Sequence, residues 1–354
     1  MRQMTALIKP ASSACNLTCG YCFYCDEAKA REATHGSFMS LETAENLIKK
    51  VFDFCGENSS VTFMFQGGEP LLAGCGFFEN FIRIAQENKT EGSSIHYSLQ
   101  TNGTLIDENF CKIFKENDFL IGVSLDGFKD KHNKNRCDSF DGAMQGVSLL
   151  KKHKITFNIL SVITAQTDAA ELFNFYSENS FRDVQPIYCL DPLDGTQSEY
   201  SLNAKQLARF QKRFFNIWFS EVSKGRHFYV RDFDNLLSLM TKGVAEQCGA
   251  SGRCNAQLVV EADGTCYPCD FYCLDEFRCL NINEADINDI LNCDGLKRFF
   301  EHDEPKNKLC ETCRVKTLCG SGCKRYRSLY NQLEGYCPRM DFIMHVVEKM
   351  RSVR

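Results

Sequence analysis

Cys15-Asn16-Leu17-Thr18-Cys19-Gly20-Tyr21-Cys22 is a CxxxCxxC triad placed directly behind a short apolar run, and it decides how the rest of the chain is read. Three thiolates at this spacing can hold three irons of a [4Fe–4S] cube and let one tight loop wrap it. Clusters that only store electrons usually take four cysteines. A triad leaves the fourth iron open to a small molecule, which points to chemistry at that iron. Phe23 and Tyr24 follow at once, where an aromatic ring can exclude water or face a flat ligand ring. Cys25 falls outside the spacing and is read as a non-ligand.

Outward from the triad the chain alternates. Runs rich in β-branched or aromatic residues at 5–8, 60–65, 94–100, 120–125, 156–163 and 184–189 read as strands, with helical patterns at 41–54, 76–86, 108–115, 143–152 and 169–177 between them. In the first helix Leu41, Ala44, Leu47, Ile48, Val51 and Phe52 form a 3.6-residue stripe behind Ser40 as N-cap. Such a βα succession predicts an α/β fold, a partial or complete barrel, because parallel strands need crossover helices. Functional loops then gather at the C-terminal strand ends, and the triad lies on the first of them.

From Leu202 the pattern changes. A helix over 204–223 carries Phe210, Phe214, Phe215, Trp218 and Phe219, read as core packing, and a second helix covers 232–240. Between Cys248 and Pro338 the chain is rich in Cys, Gly, Asn and Asp; it cannot bury a large apolar core, so metal clusters are expected to supply folding free energy. A closing helix over 340–349 is apolar at Phe342, Ile343, Val346 and Val347. The expected segments are a barrel over 1–200, a helical connector over 201–247, a cluster domain over 248–339 and a C-terminal helix over 340–354.

Composition narrows the function classes. The chain has 354 residues, 44% of them hydrophobic, enough for a substantial core. A net charge of −5 gives no positive field for nucleic acid. No run approaches the ~18 apolar residues of a membrane span, and no apolar segment precedes a cleavage site as in a secretion signal, so no membrane association and a cytoplasmic location are expected. The 21 cysteines do not suit a disulfide scaffold, which belongs to small secreted chains. Structural zinc would suit the later CxxC knuckles but leaves the N-terminal triad unexplained.

Polar motifs recur at the strand ends. Phe65-Gln66-Gly67-Gly68-Glu69-Pro70 pairs two glycines, which admit close backbone approach, with a carboxylate. Gln100-Thr101-Asn102-Gly103 and Ser124-Leu125-Asp126-Gly127 end the next two strands, followed by His132 and Arg136. Each alone is an ordinary turn signal; in succession they favour a pocket wall. His132 is open between a functional contact and an ordinary surface histidine. Further on stand Cys248, Cys254, Cys269-Asp270, then Cys310-x2-Cys313-x5-Cys319-x3-Cys323, and Cys337. Eight cysteines suit two four-cysteine clusters, and spacing leaves open which belongs to which. Cys266, Cys273, Cys279 and Cys293, like Cys55, Cys75, Cys111, Cys137 and Cys189, are read as buried thiols.

On these motifs the N-terminal part resembles the radical S-adenosylmethionine superfamily, whose signature places an aromatic before the last cysteine of the triad, here Tyr21. The resemblance implies that S-adenosylmethionine chelates the open iron of a cluster held by Cys15, Cys19 and Cys22, and is cleaved to a 5′-deoxyadenosyl radical. It implies cosubstrate contacts at Tyr24, Gly67, Gly68 and Glu69, at Ser124 and at Leu190. Gln66 and Gln100 are placed on that wall and, with Arg136, are polar candidates for holding the substrate backbone. The later array resembles the twin-cluster SPASM extension. By that likeness Cys248, Cys254, Cys269 and Cys323 hold an auxiliary cluster near the site, and Cys310, Cys313, Cys319 and Cys337 a distal one. Three [4Fe–4S] clusters on a partial (β/α)6 barrel with a C-terminal iron–sulfur domain are therefore expected.

Within that group the chain resembles the anaerobic sulfatase-maturating enzymes. The likeness is carried by Lys9-Pro10-Ala11-Ser12-Ser13, Cys22-Phe23-Tyr24, Leu99-Gln100-Thr101-Asn102-Gly103-Thr104, Cys189-Leu190-Asp191-Pro192-Leu193 and above all Tyr267-Pro268-Cys269-Asp270-Phe271-Tyr272. It implies oxidation of a Cys or Ser in an unfolded sulfatase segment to Cα-formylglycine, with Asp270 as the base and an electron donor such as flavodoxin or ferredoxin. The alternative is a maturase that forms a thioether or carbon–carbon crosslink, or an epimer, in a ribosomally made peptide. Such enzymes often carry a folded leader-binding module ahead of the triad; only fourteen residues precede Cys15 here, which favours the sulfatase reading.

Overall fold

In the computed structural model, which describes residues 2–32 and 38–352, the predicted strands are β1 (Gln3–Ile8), β2 (Ser60–Phe65), β3 (Ser94–Thr101), β4 (Leu120–Ser124), β5 (Phe157–Ile163) and β6 (Asp183–Tyr188), joined by the short β7 (Tyr229–Val230), β8 (Leu258–Val260) and β9 (Cys266–Tyr267). The helices are α1 (Phe23–Ala30), α2 (Leu41–Cys55), α3 (Cys75–Asn88), α4 (Glu108–Glu116), α5 (Lys129–Arg136), α6 (Phe140–Lys152), α7 (Ala169–Glu178), α8 (Ala204–Ser223) and α9 (Arg231–Lys242), with shorter turns and the closing helix Pro338–Arg351 behind them. Residue 1 and residues 353–354, at the edges of the first and last expected segments, lie outside the described residues. Among the described residues no helix is long and apolar enough to cross a membrane.

The chain gathers into two compact units that interleave in sequence. One takes residues 1–124, 136–157 and 256–302, the other 125–135, 158–255 and 303–354. This grouping differs from the expected segments, and strand pairing explains one difference. β8 joins the edge of β1 in parallel, Ala6 opposite Leu258 and Ile8 opposite Val260, so residues after 256 pack with the first strands.

In the first unit the strand order is β4-β3-β2-β1-β8-β9. β1 to β4 and β8 run parallel, and β9 returns antiparallel to β8. Alternation sorts the side chains. Phe63, Phe65, Tyr97, Leu99, Ile121 and Val123 are buried. Phe65 meets Phe78 at 5.1 Å and Phe81 at 5.0 Å, both edge to face, the favoured geometry for ring pairs. Met64, Gln66, Ser98, Gln100, Gly122 and Ser124 take the alternate positions, which turns the polar ends of the motifs to the opposite side of the sheet. Ser40 caps α2 as expected, accepting from Thr43 N at 3.0 Å.

In the second unit β5, β6 and β7 pair in parallel. A capping box at Asn203 and Gln206 starts α8. Of its aromatics Phe210, Phe214, Phe215 and Trp218 are buried. Phe215 and Trp218 each lie 5.2 Å from Phe233 of α9, and the Trp218 indole donates to Phe228 O at 2.8 Å. They are core, as the sequence predicts. Of the helices α1 to α9, two escape sequence reading for physical reasons. α5 (KDKHNKNR) has no apolar stripe, and α1 opens inside the cysteine motif, with Cys22 as its N-cap.

The packing makes a stability prediction. Phe65→Ala removes a fully buried ring and is expected to lower stability by about 3–5 kcal/mol, whereas Phe219→Ala, at a half-buried position, costs much less. Anaerobic denaturant unfolding followed by circular dichroism reads both; equal losses would contradict the packing described.

Candidate active site and cluster ligands

The triad loop is held from below by the second motif. Gly68 N donates to Ser12 O and Glu69 N to Ala14 O, both at 2.8 Å. A Cβ placed on Gly68 would stand 2.1 Å from Ala14 O, and Gly67 adopts φ +120°; both positions require glycine. The Glu69 carboxylate is fully buried. It accepts from Leu71 N at 3.0 Å, Thr101 Oγ1 at 2.8 Å and Asn102 N at 2.8 Å. Burial pushes its pKa up to about 7 despite these donors. Asn102 in turn donates to Asn16 Oδ1 at 2.8 Å and reaches Cys15 Sγ at 3.9 Å. The motifs at the ends of β2 and β3 thus brace the loop that carries the cysteines, a role that sequence reading missed.

The sulfurs meet backbone donors. Cys15 Sγ accepts from Leu17 N and Cys22 Sγ from Cys25 N, each at 3.4 Å. Hydrogen bonds of this kind support thiolates that ligate iron–sulfur clusters. The triad therefore fits the cluster that its spacing implies.

Beside the loop lies a buried ionic network. Lys9 follows β1 directly and is 0% exposed. Its Nζ lies 3.0 Å from Asp270 Oδ1, 3.8 Å from Glu261 Oε1, 3.3 Å from Cys273 Sγ and 3.5 Å from the centre of the Tyr24 ring. Glu261 follows β8, and it accepts from Tyr24 Oη at 2.6 and 2.8 Å, Arg31 Nη1 at 2.8 Å and Ser12 Oγ at 3.0 Å. Burial disfavours the Lys9 ammonium, yet Asp270 and the surrounding groups raise its pKa well above the ordinary value. Burial likewise opposes the Glu261 carboxylate, and Lys9 and Arg31 hold its pKa below the ordinary value all the same. Tyr24 is buried in this network, its hydroxyl committed to Glu261. The only signal in the sequence was a Lys and a Glu each placed one residue past an apolar strand.

Asp270 opens a short 3₁₀ turn behind Cys269. Its backbone N donates to Gln257 Oε1 at 3.1 Å, and its side chain is 16% exposed. Gln66 and Gln100 are half-buried at the ends of β2 and β3, and Ser124 is buried at the end of β4. The Arg136 guanidinium lies 5.4 Å from the centre of the Tyr21 ring. In the second unit, Leu190 lies half-buried past β6. His132 there is fully buried, and Asp126 N donates to its Nδ1 at 3.3 Å, so it is not a surface histidine.

The later cysteines also group. In the second unit Cys310, Cys313, Cys319 and Cys337 line one recess. Arg339 Nε donates to Cys319 Sγ at 3.3 Å and Ser321 Oγ to Cys310 Sγ at 3.4 Å. A four-cysteine recess with donors on its sulfurs fits a four-cysteine cluster. Gly249 lies against Cys323, where an added Cβ would stand 3.1 Å from that of Cys323. Gly252 and Gly320 likewise touch facing backbone at 2.2 and 2.1 Å by the same measure. These approaches hold the segment between Cys248 and Cys254 against the one that carries Cys319 and Cys323. Cys269 is described with the first unit.

Of the remaining cysteines, Cys55, Cys111, Cys189, Cys266, Cys273 and Cys279 are buried as expected. Cys75 and Cys293 are only half-buried and Cys137 is exposed, which corrects that reading. Cys293 is held at the surface as the N-cap of the helix Asp294–Glu301, and Cys137 by its contacts with Thr18 at 3.2 Å. Cys25 is exposed.

Comparison with known proteins matches two stretches of the chain to family models. Residues 10–175 match the radical SAM superfamily, and residues 248–314 match the SPASM iron–sulfur cluster-binding domain. A cysteine-type anaerobic sulfatase-maturating enzyme of Clostridium novyi (strain NT) is 39% identical over 334 residues, 92% of this chain and 89% of that protein. A serine-type anaerobic sulfatase-maturating enzyme of Klebsiella aerogenes is 29% identical over 325 residues, 90% of this chain and 78% of that protein. The solved structure of native anSMEcpe with bound AdoMet superimposes with a TM-score of 0.91 at 36% identity, covering 99% of both chains.

The contact under the triad loop is testable. Gly68→Ala forces the loop off its seat, and the variant is expected to lose about a third of the iron that a chain with three four-iron cubes holds while keeping its circular dichroism spectrum. Full iron content in the variant would show that the loop does not depend on that approach.

Proposed function

The chain belongs to the family of anaerobic sulfatase-maturating enzymes within the radical SAM superfamily, and from that premise we propose that it oxidises a cysteine in a sulfatase peptide segment to Cα-formylglycine. The carrying observation is the likeness to a cysteine-type enzyme over 92% of the chain at 39% identity, against 29% for a serine-type one. The enzyme is a radical SAM oxidoreductase. When bound, S-adenosylmethionine and the clusters supply the 5′-deoxyadenosyl radical and the acceptor for the second electron. Cys15, Cys19 and Cys22 hold the first cluster. Cys248, Cys254, Cys269 and Cys323 hold one auxiliary cluster, and Cys310, Cys313, Cys319 and Cys337 the other.

The chain's own side chains do the rest. Loss of one β-hydrogen leaves the substrate cysteine a carbon radical. Loss of the thiol proton and one further electron then gives a thioaldehyde, which water converts to the aldehyde with release of hydrogen sulfide. Asp270 takes the thiol proton. A base for this step must come within roughly 2.6–3.2 Å of the group it deprotonates, or act through one water, and a residue next to the cluster ligand Cys269 is tied to the place where the electron leaves. Gly67 and Gly68 offer backbone to the cosubstrate, while Gln66, Gln100, Ser124 and Leu190 wall its pocket and Arg136 orients the peptide. Tyr24 and Glu69 belong to the same cosubstrate wall, and their polar atoms also meet Glu261 and the end of β3. A low-potential donor such as flavodoxin or ferredoxin supplies the first electron, which suits a reducing, cytoplasmic setting.

Two measurements test the reading. Anaerobic analysis is expected to give about 12 iron and 12 sulfide per chain, the content of three cubes; a value near 4 would remove the auxiliary clusters from the scheme. With S-adenosylmethionine, reductant and a C-x-P-x-R peptide, Asp270→Asn is expected to form 5′-deoxyadenosine still, because hydrogen abstraction comes first. Its formylglycine yield should fall by roughly 10²–10⁴-fold, the contribution of a positioned base. Near-normal aldehyde from an iron-replete variant would rule the base role out.

A further inference from the structure

We propose that Lys9 is a positioning residue for this oxidation: its buried ammonium anchors one oxygen of Asp270 and so aims the other at the substrate thiol. The inference rests on the assignment of Asp270 as the base and goes beyond it, because it names what holds that base in place.

The geometry separates the two ends of the carboxylate. Asp270 Oδ1 lies 3.0 Å from Lys9 Nζ, an ion pair without hydrogen-bond geometry, and is shut off from water. The 16% exposure that the side chain keeps therefore belongs to its other atoms. An unanchored aspartate samples several staggered rotamers. A misplacement of about 1 Å at a reacting group can cost about 10²-fold in rate, so a single fixed orientation has kinetic value. The backbone contributes through the bond from Asp270 N to Gln257 Oε1.

Lys9 is itself fully enclosed. β1 pairs with β8 at its back, and Lys9 N donates to Val260 O at 2.9 Å. The ammonium rests on the Tyr24 ring, with Cys273 Sγ and Glu261 on its other sides. Glu27, also buried, faces Cys273. Neutralising Glu261 does not explain Lys9, since Arg31 already meets that carboxylate at 2.8 Å and Lys9 stands 3.8 Å from it. The anion nearest to Lys9 is Asp270.

The test reads formylglycine formed per 5′-deoxyadenosine, a ratio that a general loss of enzyme leaves unchanged. Lys9→Met keeps the length of the side chain and removes the charge. It is expected to retain iron and 5′-deoxyadenosine formation while the ratio falls at least ~10-fold, within the loss that misplacement produces. Because Lys9 acts through Asp270, Lys9→Met/Asp270→Asn should fall no lower than Asp270→Asn alone, whereas independent sites add. A Lys9→Met enzyme with the normal ratio, or a double variant that falls further by the full Lys9→Met factor, overturns the positioning role. If Asp270→Asn itself keeps the normal ratio, the base assignment fails first, and the two failures are told apart. Should Lys9→Met not fold, Lys9→Met/Glu261→Gln, which removes one charge of each sign, is compared with Glu261→Gln. A low ratio in the double variant supports the proposal; a normal ratio, or failure of this variant to fold, assigns Lys9 to the fold alone and overturns it.

Discussion

The contact on which the candidate site depends is the approach of Gly68 to the Ala14 carbonyl. It leaves no room for a Cβ. By making that approach, the turn after β2 becomes the floor of the cysteine loop rather than a neighbour of it. Two backbone bonds run across the contact. The buried Glu69 then ties the same turn to Thr101 and Asn102 at the end of β3. Three thiols on a loop with few internal bonds can keep a fixed spacing because the loop is clamped from two strand ends.

A second constraint is electrostatic. Lys9, Arg31 and Glu261 are taken out of water together, and Asp270 lies at their edge. Replacing a buried ion pair by apolar residues is often neutral or stabilising, whereas removing one partner costs about 3–5 kcal/mol. Stability alone is therefore weak grounds for such a network. What it provides is direction: a cation whose every side is defined holds a carboxylate in one pose, and fixed charges need no reorganisation when a reaction moves a proton. Around the distal cysteines the same economy holds at smaller scale, with Arg339 and Ser321 each giving a donor to a sulfur.

Much of this was legible in the sequence, for identifiable reasons. The strands β1 to β6 are short, apolar and separated by strongly patterned helices such as α2, so period and length located them. The cysteine groups were legible because cysteines crowd into short, regularly spaced segments, as Cys310 to Cys323 do. What escaped was non-local. The bracing role of the Glu69 carboxylate escaped because two of its three donors come from the end of another strand. Lys9 drew attention only as part of a motif, since its partners lie far along the chain. α5 carries no apolar face, and the fully buried His132 sits within it. Cys75, Cys137 and Cys293 differ from the buried thiols expected of them because composition says nothing about which face of a turn a small side chain occupies.

The placement of β8 bears on how the chain reaches this state. Lys9 meets Cys273 across 264 residues and Tyr24 meets Glu261 across 237. Closing spans of that length costs entropy before any contact is gained, and folds dominated by such pairings form slowly. β8 lies far behind β1 in the chain, so one edge of β1 stays open until residues 258–260 have been made. Until that edge closes, Lys9 keeps its charge in water and Asp270 has no anchor. The triad loop can be seated by β2 and β3 long before this happens. The cysteine loop and the Asp270 carboxylate thus depend on pairings of very different sequence separation.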